Sequence, residues 1–133
     1  MTPDDPTDPL SWLNRASSNL RLAESGHAKG VMFEDLCFNA QQATEKALKA
    51  VCLFKKLDFP KTHSLVRLMD ILESRGVSIP ESVKAADILT QYAVQTRYPG
   101  PVEAVSEEEY KEALASASKV VFWAEALITG KRR

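Results

Sequence analysis

Apolar residues along this chain recur at intervals of three and four, and no segment of useful length alternates apolar with polar. That period turns about 100° per residue, so it predicts helices rather than strands. Five helical segments are separated by Gly26, Gly30, Pro60, Gly76, Pro80 and the cluster Pro99-Gly100-Pro101. The first helix is expected over residues 10–25, with Asp8 as its cap and Pro9 at the first position, where a missing N–H costs nothing. Its stripe is Trp12, Leu13, Ala16, Leu20 and Ala23. The second and longest is expected over residues 31–57, with Phe33, Leu36, Cys37, Ala40, Ala43, Ala47, Val51 and Phe54 as its core stripe. Ala40, Ala43, Ala47 and Ala50 would let a neighbour approach closely, which predicts a central helix. The third follows a cap at Thr62 or Ser64 and carries Leu65, Leu68, Met69 and Leu72 as far as Arg75-Gly76. The fourth opens at Pro80-Glu81, lines one face with Val83, Ala86, Leu89, Tyr92 and Ala93, and stops by Tyr98, because Pro99 disfavours helical geometry in the residue before it. The last begins at Ser106, which with Glu109 matches a capping box, and ends at Gly130.

These elements predict one all-α domain over residues 10–130, a five-helix, mostly antiparallel up-and-down bundle. A flexible acidic and proline-rich tail precedes it over residues 1–9. A length of 133 residues leaves little room for a second domain. With 17 Lys and Arg against 18 Asp and Glu, the net charge of −1 argues against a general nucleic-acid binder but leaves room for a local basic patch. No apolar run approaches the roughly 20 residues that span a bilayer. The acidic start is not a secretory signal, so no membrane partner and a cytoplasmic location are expected. Cys37 and Cys52, if both on the second helix, stand roughly 22 Å apart and cannot pair. Two Cys and two His at scattered positions give no metal-ligand spacing. Neither a metal nor a cofactor is expected.

Three stretches carry candidate chemistry. On the second helix, Asp35, Asn39, Gln42, Glu45, Lys46 and Lys49 fall within an arc of about 120° opposite the core stripe. Gln42, Glu45, Lys46 and Lys49 share a face, and Glu45 and Lys49 form an i, i+4 pair in the favourable order. Spacing alone is compatible with a solvated, salt-bridged face and with a groove that meets phosphate or another helix. In Lys61-Thr62-His63-Ser64, a histidine beside two hydroxyls either orients a helix start or acts on a ligand. In Arg97-Tyr98-Pro99, a helix break presents a guanidinium suited to phosphate and a phenol that can stack on a base. No Gly-rich phosphate loop and no nucleophile elbow occur.

Taken in order, these stretches resemble a HEPN domain (higher eukaryotes and prokaryotes nucleotide-binding) over about residues 10–129. The most specific piece is Gln41-Gln42-Ala43-Thr44-Glu45-Lys46-Ala47-Leu48-Lys49-Ala50. Trp12 and Ala16, Thr62-His63-Ser64-Leu65, and Tyr92 through Arg97-Tyr98-Pro99 complete the resemblance. It implies a small helical bundle, commonly a homodimer, often paired with a minimal nucleotidyltransferase in a two-component or toxin–antitoxin-like module. Some members are metal-independent ribonucleases whose Arg is followed, four to six residues on, by a His. Here those slots hold Val102, Glu103 and Ala104, and no His follows His63. Whether the chain is an enzyme stays open, and no catalytic residue is assigned. The leading expectation is a nucleotide- or phosphate-binding site formed by Gln42, Glu45, Lys46, Lys49, His63, Arg97 and Tyr98, with nucleotide, RNA or a nucleotidyltransferase as partner. Within it, the guanidinium of Arg97 is expected against the polar side of the second helix. The alternatives are a ribonuclease toxin with a variant site and a purely structural interaction module.

Overall fold

A computed structural model describes residues 5–25, 30–93 and 105–130. The described residues are helical and contain no strand. The helices are α1 (Pro9–Glu24), α2 (Phe33–Phe54), α3 (Leu65–Ser74), α4 (Glu81–Lys84), which runs directly into a 3-10 helix (Ala85–Tyr92), and α5 (Glu107–Thr129).

Each start has a local cause. Asp8 accepts the N–H of Leu10 ahead of Pro9, and Ser64 accepts the N–H of Arg67. The Ser106–Glu109 capping box is closed in both directions. Helix α2 stops at Phe54, short of the expected residue 57. Lys56 takes a left-handed conformation (φ 59°), which lets its N–H reach Leu53 O at 3.0 Å and the N–H of Leu57 reach Cys52 O at 2.9 Å. This is a Schellman closure with lysine where glycine is usual. Helix α3 closes in the same way, with Gly76 (φ 85°) in that position.

The fourth helix departs most from expectation. Only Glu81–Lys84 is α-helical, and Ala85–Tyr92 winds as a 3-10 helix. The reason lies in the stripe. Val83, Ala86, Leu89 and Tyr92 are spaced three apart, and all are buried. Three residues per turn stack such a row on one face, whereas an α-helix would rotate it away. The residues beyond Ala93 toward Arg97 and Tyr98 lie outside the described set.

Helix α2 is central. It packs against α1, α3, the 3-10 helix and α5. Ala40, Ala43, Ala47 and Ala50 are fully buried, so their small side chains do set close helix approach. The same wrapping buries Gln41, Thr44, Glu45 and Lys49. Phe54, expected in the core stripe, is exposed instead, because it sits on the last turn as the chain leaves the bundle. At the other end of α2, Tyr110 of α5 donates to Ala23 O of α1 and stacks on Phe33, with centroids 5.2 Å apart. Burial first, then the nearby Cys37 and Glu24, push the Tyr110 hydroxyl above its ordinary range.

Candidate functional site

The polar residues of α2 do not form one face. They divide into a buried row, Gln41, Glu45 and Lys49, and a half-buried row that includes Asn39, Gln42 and Lys46. The division follows from the i, i+4 ladder. Positions 41, 45 and 49 lie one above another, so their side chains can satisfy one another without water.

Glu45 is the hub of the inner row. Its Oε1 accepts from Gln41 Nε2 at 3.0 Å, and its Oε2 accepts from Lys49 Nζ at 2.9 Å. His63 Nδ1, arriving from the loop before α3, lies 2.9 Å from Oε1. Burial alone would raise the Glu45 carboxyl. The hydrogen bonds from Lys49, Gln41 and His63, with the charge of Lys49, outweigh it and hold the group below its ordinary range. Glu45 is therefore ionised at neutral pH. An ionised carboxylate only accepts, so Nδ1 of His63 is the donor and the ring turns Nε2 away from Glu45. The Glu45 side chain is 5% exposed and that of His63 67%. A buried anion thus fixes the tautomer of an exposed imidazole. The outer row has different partners. Gln42 Nε2 donates to Gln41 Oε1 at 2.8 Å, and Lys46 Nζ donates to Asn19 Oδ1 at 2.8 Å. Burial, then the charge of Arg15, push the Lys46 ammonium below its ordinary range.

Two clefts border these rows and share one wall. The larger, about 470 Å³, is lined by Trp12, Lys49, Phe59, Lys61, Thr62 and His63. Trp12 and Phe59 meet edge to face, with centroids 6.1 Å apart. Lys49 Nζ lies 5.7 Å from the Trp12 ring and 5.6 Å from that of Phe59. The smaller, about 330 Å³, is lined by Asp5, Pro6, Ser11, Trp12, Arg15 and Lys46. Trp12 lines both, and its indole N–H donates to Pro6 O at 2.7 Å.

Among the expected site residues, the structure brings together Glu45, Lys49 and His63. Gln42 joins them only through Gln41, and Lys46 lines the other cleft. Arg97 and Tyr98 lie outside the described residues. Glu45 pairs with Lys49, the i, i+4 pair that the spacing predicts, and also holds His63. Sequence reasoning missed Gln41, whose place four before Glu45 was the available signal. It also missed Phe59, which sits in a loop with no period to reveal it; Lys61 was named with the His63 stretch but not as a site residue, and Trp12 as core and as part of the family resemblance only. Among the described residues, no group of three or more His, Cys, Asp or Glu is placed to hold a metal ion. Cys52 is a buried thiol that burial, opposed in part by Lys49, pushes up to about 11. At neutral pH it is a protonated core side chain rather than a nucleophile. No described helix is long and apolar enough to cross a membrane.

A helical bundle wrapped around a central helix, with an ionised carboxylate and an imidazole on its polar side, is the class of structure in hand. The HEPN domain family matches residues 10–127, and the chain belongs to that family. Among solved structures, TT1696 from Thermus thermophilus is similar at 32% identity, covering 88% of this chain and 95% of that one, with a TM-score of 0.72. ST0689, an archaeal HEPN homologue, shares the fold at 23% identity and a TM-score of 0.73, covering 91% of this chain and 98% of that one. No curated protein matches the sequence.

Proposed function

We propose that this HEPN protein binds a phosphorylated nucleotide in the cleft lined by Trp12, Lys49, Phe59, Lys61, Thr62 and His63. It does so as a cytoplasmic homodimer that partners a minimal nucleotidyltransferase in a two-component module. The observation that carries the binding reading is the composition of that cleft. Two aromatic rings suit a base, while two ammonium groups and an imidazole suit phosphate. Because Lys49 is already paired with Glu45, Lys61 makes the principal phosphate contact and Lys49 adds its field, while His63 donates to phosphate from Nε2 as the imidazolium, with Nδ1–H still on Glu45. Thr90 Oγ1 of the 3-10 helix accepts the N–H of Leu65 at 3.3 Å, which ties that helix to the start of α3 beside His63.

Calorimetry with AMP and ATP tests the reading. Lys61→Ala and His63→Ala are each expected to weaken binding roughly tenfold, as loss of a charge-assisted hydrogen bond does. Heat absent for every nucleotide and for a cognate transferase removes the proposal.

The Glu45–His63 pair favours a second reading, a metal-independent ribonuclease with a variant site. A carboxylate that holds Nδ1–H leaves Nε2 to take a proton, the arrangement general bases use. Cleavage of RNA in EDTA that vanishes in His63→Ala would put this reading first.

A further inference from the structure

Gln41 carries a fully buried amide that lines neither cleft. Both of its ends are committed. Nε2 donates to Glu45 Oε1 at 3.0 Å, and Oε1 accepts from Gln42 Nε2 at 2.8 Å. We infer that Gln41 is a positioning residue for the cleft: by holding Glu45 Oε1 in place, it sets how His63 presents Nε2 to a phosphate. That role rests on the hydrogen bonds of α2 for its geometry and on the nucleotide-binding reading for its consequence.

The two oxygens of Glu45 are shared out unequally. Lys49 takes Oε2, while Gln41 and His63 share Oε1. The terminal torsion of a glutamate is broad, so Lys49 alone would let the carboxylate turn about its own axis. A donor one turn before and another one turn after grip the two oxygens separately and set the plane of the group. Each carboxylate oxygen offers two lone pairs. With Gln41 on one, the other at Oε1 is left for Nδ1–H of His63. Nor can the remaining charged groups of the cleft replace that contact. Lys49 and Lys61 are donors only and cannot accept Nδ1–H. The amide itself has one workable orientation. Turned over, Gln41 would set its carbonyl against an ionised carboxylate and its NH2 against that of Gln42. Gln42 therefore holds the far end of a chain that runs Gln42, Gln41, Glu45, His63 from the half-buried row to the cleft. Packing alone does not call for an amide here. An unbranched apolar side chain would fill the same place, beside the buried Ala40, with no hydrogen bond to satisfy.

Nitrogen NMR of the isotope-labelled full chain reads the tautomer directly. His27→Gln, present throughout, leaves His63 as the one imidazole. A free neutral histidine prefers its proton on Nε2, so Nδ1–H is the signature of the Glu45 contact. At alkaline pH the parent is expected mainly as Nδ1–H. Gln41→Met keeps the length and removes the donor, and should move the ring toward Nε2–H. Gln42→Met should move it the same way by less, and carries the test if Gln41→Met does not fold. Calorimetry with AMP supplies the second readout. Gln41→Met is expected to weaken AMP about threefold or more, and to change nothing where His63→Gln is already present. A merely structural amide would weaken AMP equally in both backgrounds, and that result overturns the inference. So does a tautomer that neither variant moves. In both cases AMP binding by the parent leaves the nucleotide reading standing. If AMP does not bind the parent, the nucleotide reading falls and the tautomer alone decides the role of Gln41.

Discussion

The inner and outer polar rows of α2 are built from the same kinds of side chain one position apart, yet they live in different media. Gln41, Glu45 and Lys49 are buried and satisfy one another along the helix. Gln42 and Lys46 are half-buried, and Lys46 depends on Asn19 of α1. The inner row is a mutually satisfied unit that reaches outward to His63 and takes a hydrogen bond from Gln42. The outer row is the part available to a ligand. The difference shows that a stripe of charge on a helical wheel is an angle and not an exposure. The neighbours that wrap the helix decide which half of the stripe meets water.

The contrast is broken most severely by removing the hub. Glu45→Ala leaves Lys49 without its buried counter-charge and is expected to cost about 3 kcal/mol or more in chemical denaturation. The double variant Glu45→Leu, Lys49→Met should cost much less than the sum of the two single changes, because it removes both charges together. A double-mutant cycle that returned additive losses would mean that the pair is not a unit. In the outer row, Lys46→Ala should cost about 1 kcal/mol, the net worth of one hydrogen bond. Asn19→Ala should cost more, because Asn19 Nδ2 also donates to Asn39 Oδ1 at 3.0 Å, and the double variant should cost no more than Asn19→Ala alone. The loop that delivers His63 to the inner row begins at Lys56, in a conformation that glycine adopts freely. Lys56→Gly is expected to stabilise the fold by about 0.5 kcal/mol, since relief of left-handed strain exceeds the added freedom of the unfolded chain. The mildest effect is on acid sensitivity. The folded-state value of Glu45 lies below its ordinary 4.5. Its contribution is therefore complete above that ordinary value and is lost as pH falls through the lower folded one. Glu45→Gln should be less stable than the parent at neutral pH and should lose less on acidification; parallel pH profiles for the two would contradict the assignment.

Much of this architecture was legible in the residues. The apolar period located all five helical segments, and the Asp8, Ser64 and Ser106 caps stand where their sequence signals put them. The 3-10 winding was written in the row Val83, Ala86, Leu89 and Tyr92, whose strict interval of three also fits a short α-helical face. The end of α2 was not legible, because nothing in Lys55-Lys56-Leu57 announces a left-handed lysine. At the site, the Glu45–Lys49 pair followed from spacing. The approach of His63 did not, since it depends on the path of the loop over residues 57–64. The burial of Glu45 was hinted at only by the alanines around it, which imply close neighbours without saying how far they wrap. That Trp12 lines one cleft with Lys46 and another with Lys49 required the packing of α1 on α2, a tertiary fact that no helical wheel contains.

The shared indole has a practical consequence. The chain has two tryptophans, and the other, Trp123, belongs to α5. A Trp123→Phe protein would keep one fluorophore, Trp12, which lines both clefts, so a ligand in either would be read from the emission of a single ring. Quenching along a nucleotide titration would then report binding beside that ring without a label.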